Sequence, residues 1–170
     1  MKTLHSLAII ALLVAGCDHT SVQPTESPEL ASYEGLLAIV MDTDRPVLAV
    51  HYVSDDQELQ FNLDSAEAGT SIQVHRVLAG SYCVRTVTWP TTTFHADHLD
   101  AGNILCIDVE PGVLNYPGHM VFVDGEPSWS RSRFFARYVP RIQEYEALVR
   151  EEYPGLAPWL VDRRRDGYTP

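Results

Sequence analysis

The sequence predicts an all-β fold, an antiparallel β-sandwich with one helix near the C-terminus packed on it. Three observations carry this. Short apolar, often β-branched runs recur along the chain, each bounded by Gly, Pro, Asp or Asn. No helix-period segment separates those runs, which argues against a parallel α/β sheet. A single stretch late in the chain has the 3.6-residue stripe of an amphipathic helix.

Glu34–Met41 is a strongly apolar run, and Asp42-Thr43-Asp44-Arg45-Pro46 turns the chain into a strand over 47–53. Beyond the polar turn Ser54-Asp55-Asp56, residues 57–63 alternate, with Leu59, Phe61 and Leu63 on one face. A loop over 64–70 leads to a strand over 72–77. Ala79-Gly80 then turns the chain into residues 81–89. Residues 90–102 read as a long polar connection, and strands follow over 103–109, 115–123 and 130–139. Pro111-Gly112 and Asp124-Gly125 supply the last two turns.

The helix is expected over about 140–153, with Pro140 at its first position. Ile142, Tyr145, Leu148, Val149 and Tyr153 share one face, and Pro154-Gly155 ends it. The stripe reads as docking against the sheet; a helix offered to a partner's groove is the alternative. Residues 34–162 make one domain of ordinary size, followed by a polar tail over 163–170. In that tail Arg163-Arg164-Arg165 is flanked by Asp162 and Asp166 and reads as solvated.

The N-terminus carries Lys2 and then an unbroken apolar run, Leu7–Val14, of eight residues. A bilayer-spanning helix needs roughly 20 apolar residues, so this run suits a removable signal peptide, residues 1–16. It leads into Leu13-Val14-Ala15-Gly16-Cys17, which resembles the lipobox of bacterial lipoproteins. That resemblance implies cleavage before Cys17, lipidation of its thiol, and a location on the outward side of a bacterial envelope membrane. Asp18 resembles the inner-membrane retention signal of enteric bacteria; other bacteria sort by other rules, so inner and outer membrane both stay open. Residues 17–33 are polar, hold Pro24 and Pro28, and read as a disordered tether with a reach of at most ~50 Å.

The whole chain has a formal charge of −11. Loss of residues 1–16 removes Lys2 and no acid, leaving the mature chain more acidic still. Such a surface repels nucleic acid and anionic lipid, so nucleic acid is not an expected partner. Apart from Cys17, two cysteines remain, Cys83 and Cys106. An even pair in an exported chain suggests a disulfide. Alternation puts both on the polar side of their strands, so a cross-strand bridge is feasible; two free thiols are the alternative.

Two stretches bear a further resemblance. Val77-Leu78-Ala79-Gly80-Ser81-Tyr82-Cys83-Val84 is similar to a turn-strand of transthyretin-like and carboxypeptidase-regulatory-like domains. Val109-Glu110-Pro111-Gly112-Val113-Leu114-Asn115-Tyr116-Pro117-Gly118 resembles a hairpin of the same domains. The resemblance covers residues 34–139 and implies an Ig-like or transthyretin-like sandwich, with no catalytic residues to carry over.

His95-Ala96-Asp97-His98-Leu99-Asp100 is the one dense group of potential metal ligands. His95 and His98 with a neighbouring carboxylate, Asp97 or Asp100, could hold a divalent ion, and His51, His75 and His119 could contribute a further ligand. The plainer reading is a solvated loop. No Gly-x-Ser-x-Gly elbow and no Gly-rich phosphate loop occur. Trp89 borders the long connection and is the best candidate for an exposed, ligand-stacking tryptophan, although core packing is the favoured reading for it, Trp129 and Trp159. No catalytic residue and no cofactor is assigned. The expected function is a lipid-anchored, non-enzymatic binding or structural module with an envelope protein or glycan partner. The alternative is a metal-binding protein or metal-dependent enzyme built on His95 and His98.

Overall fold

The computed structural model describes residues 20–54, 60–63, 65–95, 105–124 and 134–160. In chain order its strands are β1 (Thr20–Ser21), β2 (Glu34–Thr43), β3 (Ala49–Val53), β4 (Gln60–Leu63), β5 (Gly69–Leu78), β6 (Gly80–Trp89), β7 (Thr92–His95), β8 (Cys106–Val109), β9 (Leu114–Asn115), β10 (His119–Asp124) and β11 (Phe134–Val139). Helix α1 (Ile142–Glu152) follows, then a 3-10 segment over Pro154–Trp159. The first sheet has the order β1-β5-β2-β10-β11, with β9 also on β2. The second has the order β4-β3-β6-β7, with β8 also on β6.

Strand β2 organises the molecule, and its sequence says why. Leu36 to Met41 is apolar at every position and buried throughout. Such a run belongs to a strand covered on both faces. Leu37, Ile39 and Met41 point into the core between the sheets, where Val50, Tyr52, Val84, Val87, Ile107 and Met120 meet them. Leu36, Ala38 and Val40 point the other way, into a second core shared with Val74, Tyr145, Val149, Tyr153 and Leu156. The architecture is therefore three layers: sheet, sheet, helix. Between the sheets the Tyr52 and Tyr138 hydroxyls lie 2.9 Å apart and hydrogen-bond. Burial raises the pKa of both phenols.

The sheets are not wholly antiparallel, as the sequence reading had them. β9 and β10 run parallel to β2. The chain crosses to the second sheet for β6 to β8. It then turns at Pro111-Gly112 and re-enters the first sheet beside β2, from the end where β2 begins. Gly112 donates its N–H to the Glu34 carbonyl at 2.8 Å at that point. The strand expected over 115–123 is broken by Pro117-Gly118 into β9 and β10. The long connection expected over 90–102 is also corrected, because Thr92–His95 folds back on β6 as β7. β7 and β8 lie on the same edge of β6, one beside its second half and one beside its first.

Both β3 and β6 show the alternation of a sheet with one wet face. The β6 pattern shifts at Arg85, because His51 pairs with Thr86 while Tyr52 pairs with Val84. Arg85 is the extra residue of a β-bulge, so Tyr82, Val84, Val87 and Trp89 all reach the core. Trp89 is thus 6% exposed, and no stacking platform exists there. Trp129 lies outside the described residues, and Trp159 packs on the helix-side core.

Cys83 and Cys106 are directly opposed on β6 and β8 and form a disulfide, with Cα atoms 4.0 Å apart. The next pair, Val84 and Leu105, exchanges the Val84 N–H to the Leu105 carbonyl at 2.9 Å. That places the cysteines at a non-hydrogen-bonded position, where opposed residues approach most closely. The bridge closes a loop of sequence separation 23. Its loss in a Cys83→Ser/Cys106→Ser variant is expected to cost about 3 kcal/mol, read from urea midpoints with and without reductant. Reductant should shift the unsubstituted protein and leave the variant unchanged.

The expected tether over 17–33 does not hold from residue 20 onward. Thr20 and Ser21 pair with Arg76 and His75 of β5. The Val22 N–H donates to the Val74 carbonyl at 2.8 Å, and its side chain is 3% exposed in the helix-side core. Pro28 is also buried and Leu30 packs on that core. Three apolar residues scattered without period suffice to dock a segment on a finished surface, and no local pattern announces this.

Helix α1 covers the outer face of the first sheet with Tyr145, Val149 and Tyr153, while Ile142 at its start is 46% exposed. Arg141 is its N-cap, so Pro140 precedes the helix and does not occupy its first turn. Beyond it, Gly155 donates to the Pro24 carbonyl at 3.3 Å. A methyl group on Gly155 would overlap the Glu26 carbonyl, so only glycine lets the two segments touch.

Candidate functional site

The densest polar constellation among the described residues lies where α1 starts on the first sheet. It grows from local sequence. Tyr116-Pro117-Gly118-His119 bends the chain between β9 and β10, and Gly118 takes φ 122° to allow it. The bend brings the Tyr116 hydroxyl against His119 Nδ1 in a short hydrogen bond. The Arg141 backbone N–H donates to the same hydroxyl oxygen at 3.2 Å. Tyr116 also stacks on Tyr145, with centroids 4.0 Å apart.

The Tyr116 oxygen accepts from the Arg141 N–H, and the direction of its bond with His119 Nδ1 follows the tautomer of the imidazole. His119 Nε2 is buried without a hydrogen-bond partner, and the Glu144 carboxylate stands 3.8 Å away. Arg141 Nη1 reaches Asp42 Oδ2 at 3.1 Å and Glu144 Oε2 at 3.4 Å. Two carboxylates and one guanidinium thus ring a histidine that is 0% exposed. Burial lowers the His119 pKa and Arg141 lowers it further, while Glu144 and Asp42 oppose both. Burial also raises the Tyr116 pKa.

Chemically this is a clamp. A fully buried imidazole does not meet a substrate, and the guanidinium already occupies the space between the carboxylates. The network ties β2, β10 and the first turn of α1 together. Its titration has a sign. With the folded-state pKa below about 6.5, the unfolded chain binds the proton more readily. The contribution of His119 is complete above that pH and is lost as pH falls through the window down to the folded-state pKa. A His119→Gln variant is expected to show a shallower loss of stability between about pH 7 and pH 5 than the unsubstituted protein. Urea titrations across that range check it; parallel slopes would remove His119 from the account.

Of the residues singled out from sequence, those described do not converge. Cys17 and His98 lie outside the described residues. His95 is exposed on β7, and it shares a row with Thr86 and His51 across three strands of the second sheet. His75 is buried on β5 in the other sheet, with Nε2 3.4 Å from Gln73 Oε1. His119 lies in the clamp. Among the described residues no group of three or more His, Cys, Asp or Glu side chains is placed to hold a metal ion. No helix among them is long and apolar enough to cross a membrane.

The clamp was missed because its members come from β2, the β9–β10 bend and the start of α1. Only the pairs Tyr116/His119 and Arg141/Glu144 are close in sequence, and that spacing alone is common.

Comparison with protein-family models, with curated proteins and with solved structures finds no match.

Proposed function

We propose that this chain is a lipid-anchored protein of the bacterial cell envelope that works as a non-enzymatic binding or structural module. One observation carries the reading: Lys2, the apolar run Leu7–Val14 and Ala15-Gly16-Cys17 stand in the order that lipoprotein processing requires. The Cys83–Cys106 bridge supports it, since such a bond persists in an oxidising compartment. The partner is an envelope protein or glycan, and the acidic surface disfavours nucleic acid.

The fold relation proposed with it is to transthyretin-like sandwiches. Tyr82, the tyrosine of the first resembling stretch, is buried and donates its hydroxyl proton to the Leu78 carbonyl at 2.9 Å across the Ala79-Gly80 turn. The tyrosine thus packs and closes the turn, as a structural motif should.

Cys17→Ser is expected to block maturation and move the protein out of the membrane fraction of cells, with the fold unchanged. Fractionation with an antibody to the domain reads this. Equal membrane association of both forms would contradict the anchor. Crosslinking in intact cells, compared between the two forms, then identifies the partner.

A further inference from the structure

We propose that one end of the sandwich, formed by Tyr33, the Leu78–Gly80 turn and the Glu110–Gly112 turn, rests on the phospholipid headgroups, leaving the opposite end to face the envelope partner. The proposal builds on lipidation of Cys17. It goes further, because it fixes how the domain stands.

The argument is one of chain length. Thr20 is already held in the first sheet, opposite Arg76 of β5. Three residue steps separate it from Cys17, a reach of at most about 11 Å whatever path the chain takes. Arg76 lies two residues from the end of β5 at Leu78, so about 7 Å of that reach is needed to clear the end of the sheet. A cysteine whose lipids lie in the membrane therefore draws this end of the domain down to the headgroup layer. A tether of ~50 Å would have let the domain swing; this leash does not.

Three pieces of chain converge on that end and are tied together. The Ala79 N–H donates to the Tyr33 carbonyl at 2.8 Å, and the Gly112 N–H to the Glu34 carbonyl at 2.8 Å. β1 runs parallel to β2, since both are antiparallel to β5, so the leash enters where β2 begins. Tyr33 is 63% exposed there, and an aromatic ring with a polar tip suits the headgroup region. Glu110 is exposed, and Glu34 stands 3.8 Å from Arg76. Among the described residues that end carries no excess of cations, so the surface it suits is zwitterionic phospholipid, and the leash rather than charge supplies the attraction. The other end holds the turns after Thr43, before Gly69 and after Trp89, about 30 Å away along ten-residue strands.

The test uses the full lipidated chain in phosphatidylcholine vesicles that contain a headgroup-nitroxide lipid. With Cys17 acylated and Cys83 bridged to Cys106, an added cysteine is the one free thiol. Glu110→Cys places a fluorophore at the proposed membrane end and Glu67→Cys places one at the far end. Loss of most of the fluorescence at position 110, with none at 67, is the expected result. Equal quenching at both positions, or the reverse order, overturns the orientation, provided that mass spectrometry of the same sample shows Cys17 lipidated. An unmodified Cys17 in that sample overturns the anchor reading itself and the orientation with it, so the two failures are told apart.

Discussion

Gly35→Ala is expected to destabilise the domain by about 3 kcal/mol or more. A methyl group at position 35 would overlap the Glu110 carbonyl oxygen and come within 2.8 Å of Val109 Cγ1 and 3.1 Å of Asn115 Nδ2. None of these can retreat cheaply. Asn115 is buried; it accepts the Glu110 N–H and donates to the carbonyls of Leu36, Val113 and Glu110. Pushing the 109–115 segment off β2 would leave these groups buried without partners, each costing about 1–3 kcal/mol. Gly69→Ala is the control. Gly69 has φ 115° but open space around it, so that variant pays for backbone strain alone, about 1–2 kcal/mol. Urea denaturation of the two variants separates steric from conformational cost. Equal shifts would mean that the Gly35 contact is not as tight as described.

Val22→Asp is expected to lower stability by about 2–3 kcal/mol and to release the segment over 20–30 from the domain. Burial of one valine contributes ~2 kcal/mol, and a carboxylate in that core would cost more than the segment gains by docking. The segment can detach while the sheets remain, so the loss is capped at its own docking free energy. Hydrogen exchange reads the detachment as lost protection at Val22, whose N–H bonds Val74, with β2 and β5 still protected. Unchanged protection at Val22 would show that its side chain is not what holds the segment.

These two sites mark where sequence reading stops. The fold class was legible, since alternation in β3, β6 and β8 and the unbroken apolar run of β2 are period-two and doubly buried patterns that any window reveals. Helix α1 was legible for the same reason, in Tyr145, Val149 and Tyr153. Counting faces made a cross-strand bridge between Cys83 and Cys106 feasible, and the structure forms it. The parallel pairing of β9 and β10 with β2 was not legible, because pairing partners are chosen by tertiary packing and not by local pattern. β7 was hidden because Thr91-Thr92-Thr93 carries no alternation. The docked N-terminal segment looked like a linker because polar residues and prolines dominate it, while Val22, Pro28 and Leu30 have no period to read. The clamp at His119 depends on Asp42 and Arg141 arriving from distant strand and helix ends. Its chemistry was present in the sequence, but its geometry was not.

The proposed function rests on a different layer of the sequence from the fold. Processing signals are read by enzymes in an extended chain, so local order suffices there: a charge, an apolar run, then small residues before a cysteine. The domain that follows supplies a rigid body whose first sheet begins three residues past that cysteine. If Cys17 is lipidated as proposed, a short leash and a disulfide-bridged sandwich would together make a fixed pedestal on a membrane.

Mass spectrometry of the N-terminal peptide of the protein isolated from cell membranes tests the central claim most directly. The predicted result is a chain that begins at Cys17 and carries the mass of a diacylglycerol on it. A chain that still begins at Met1, or one with an unmodified Cys17, would contradict the account.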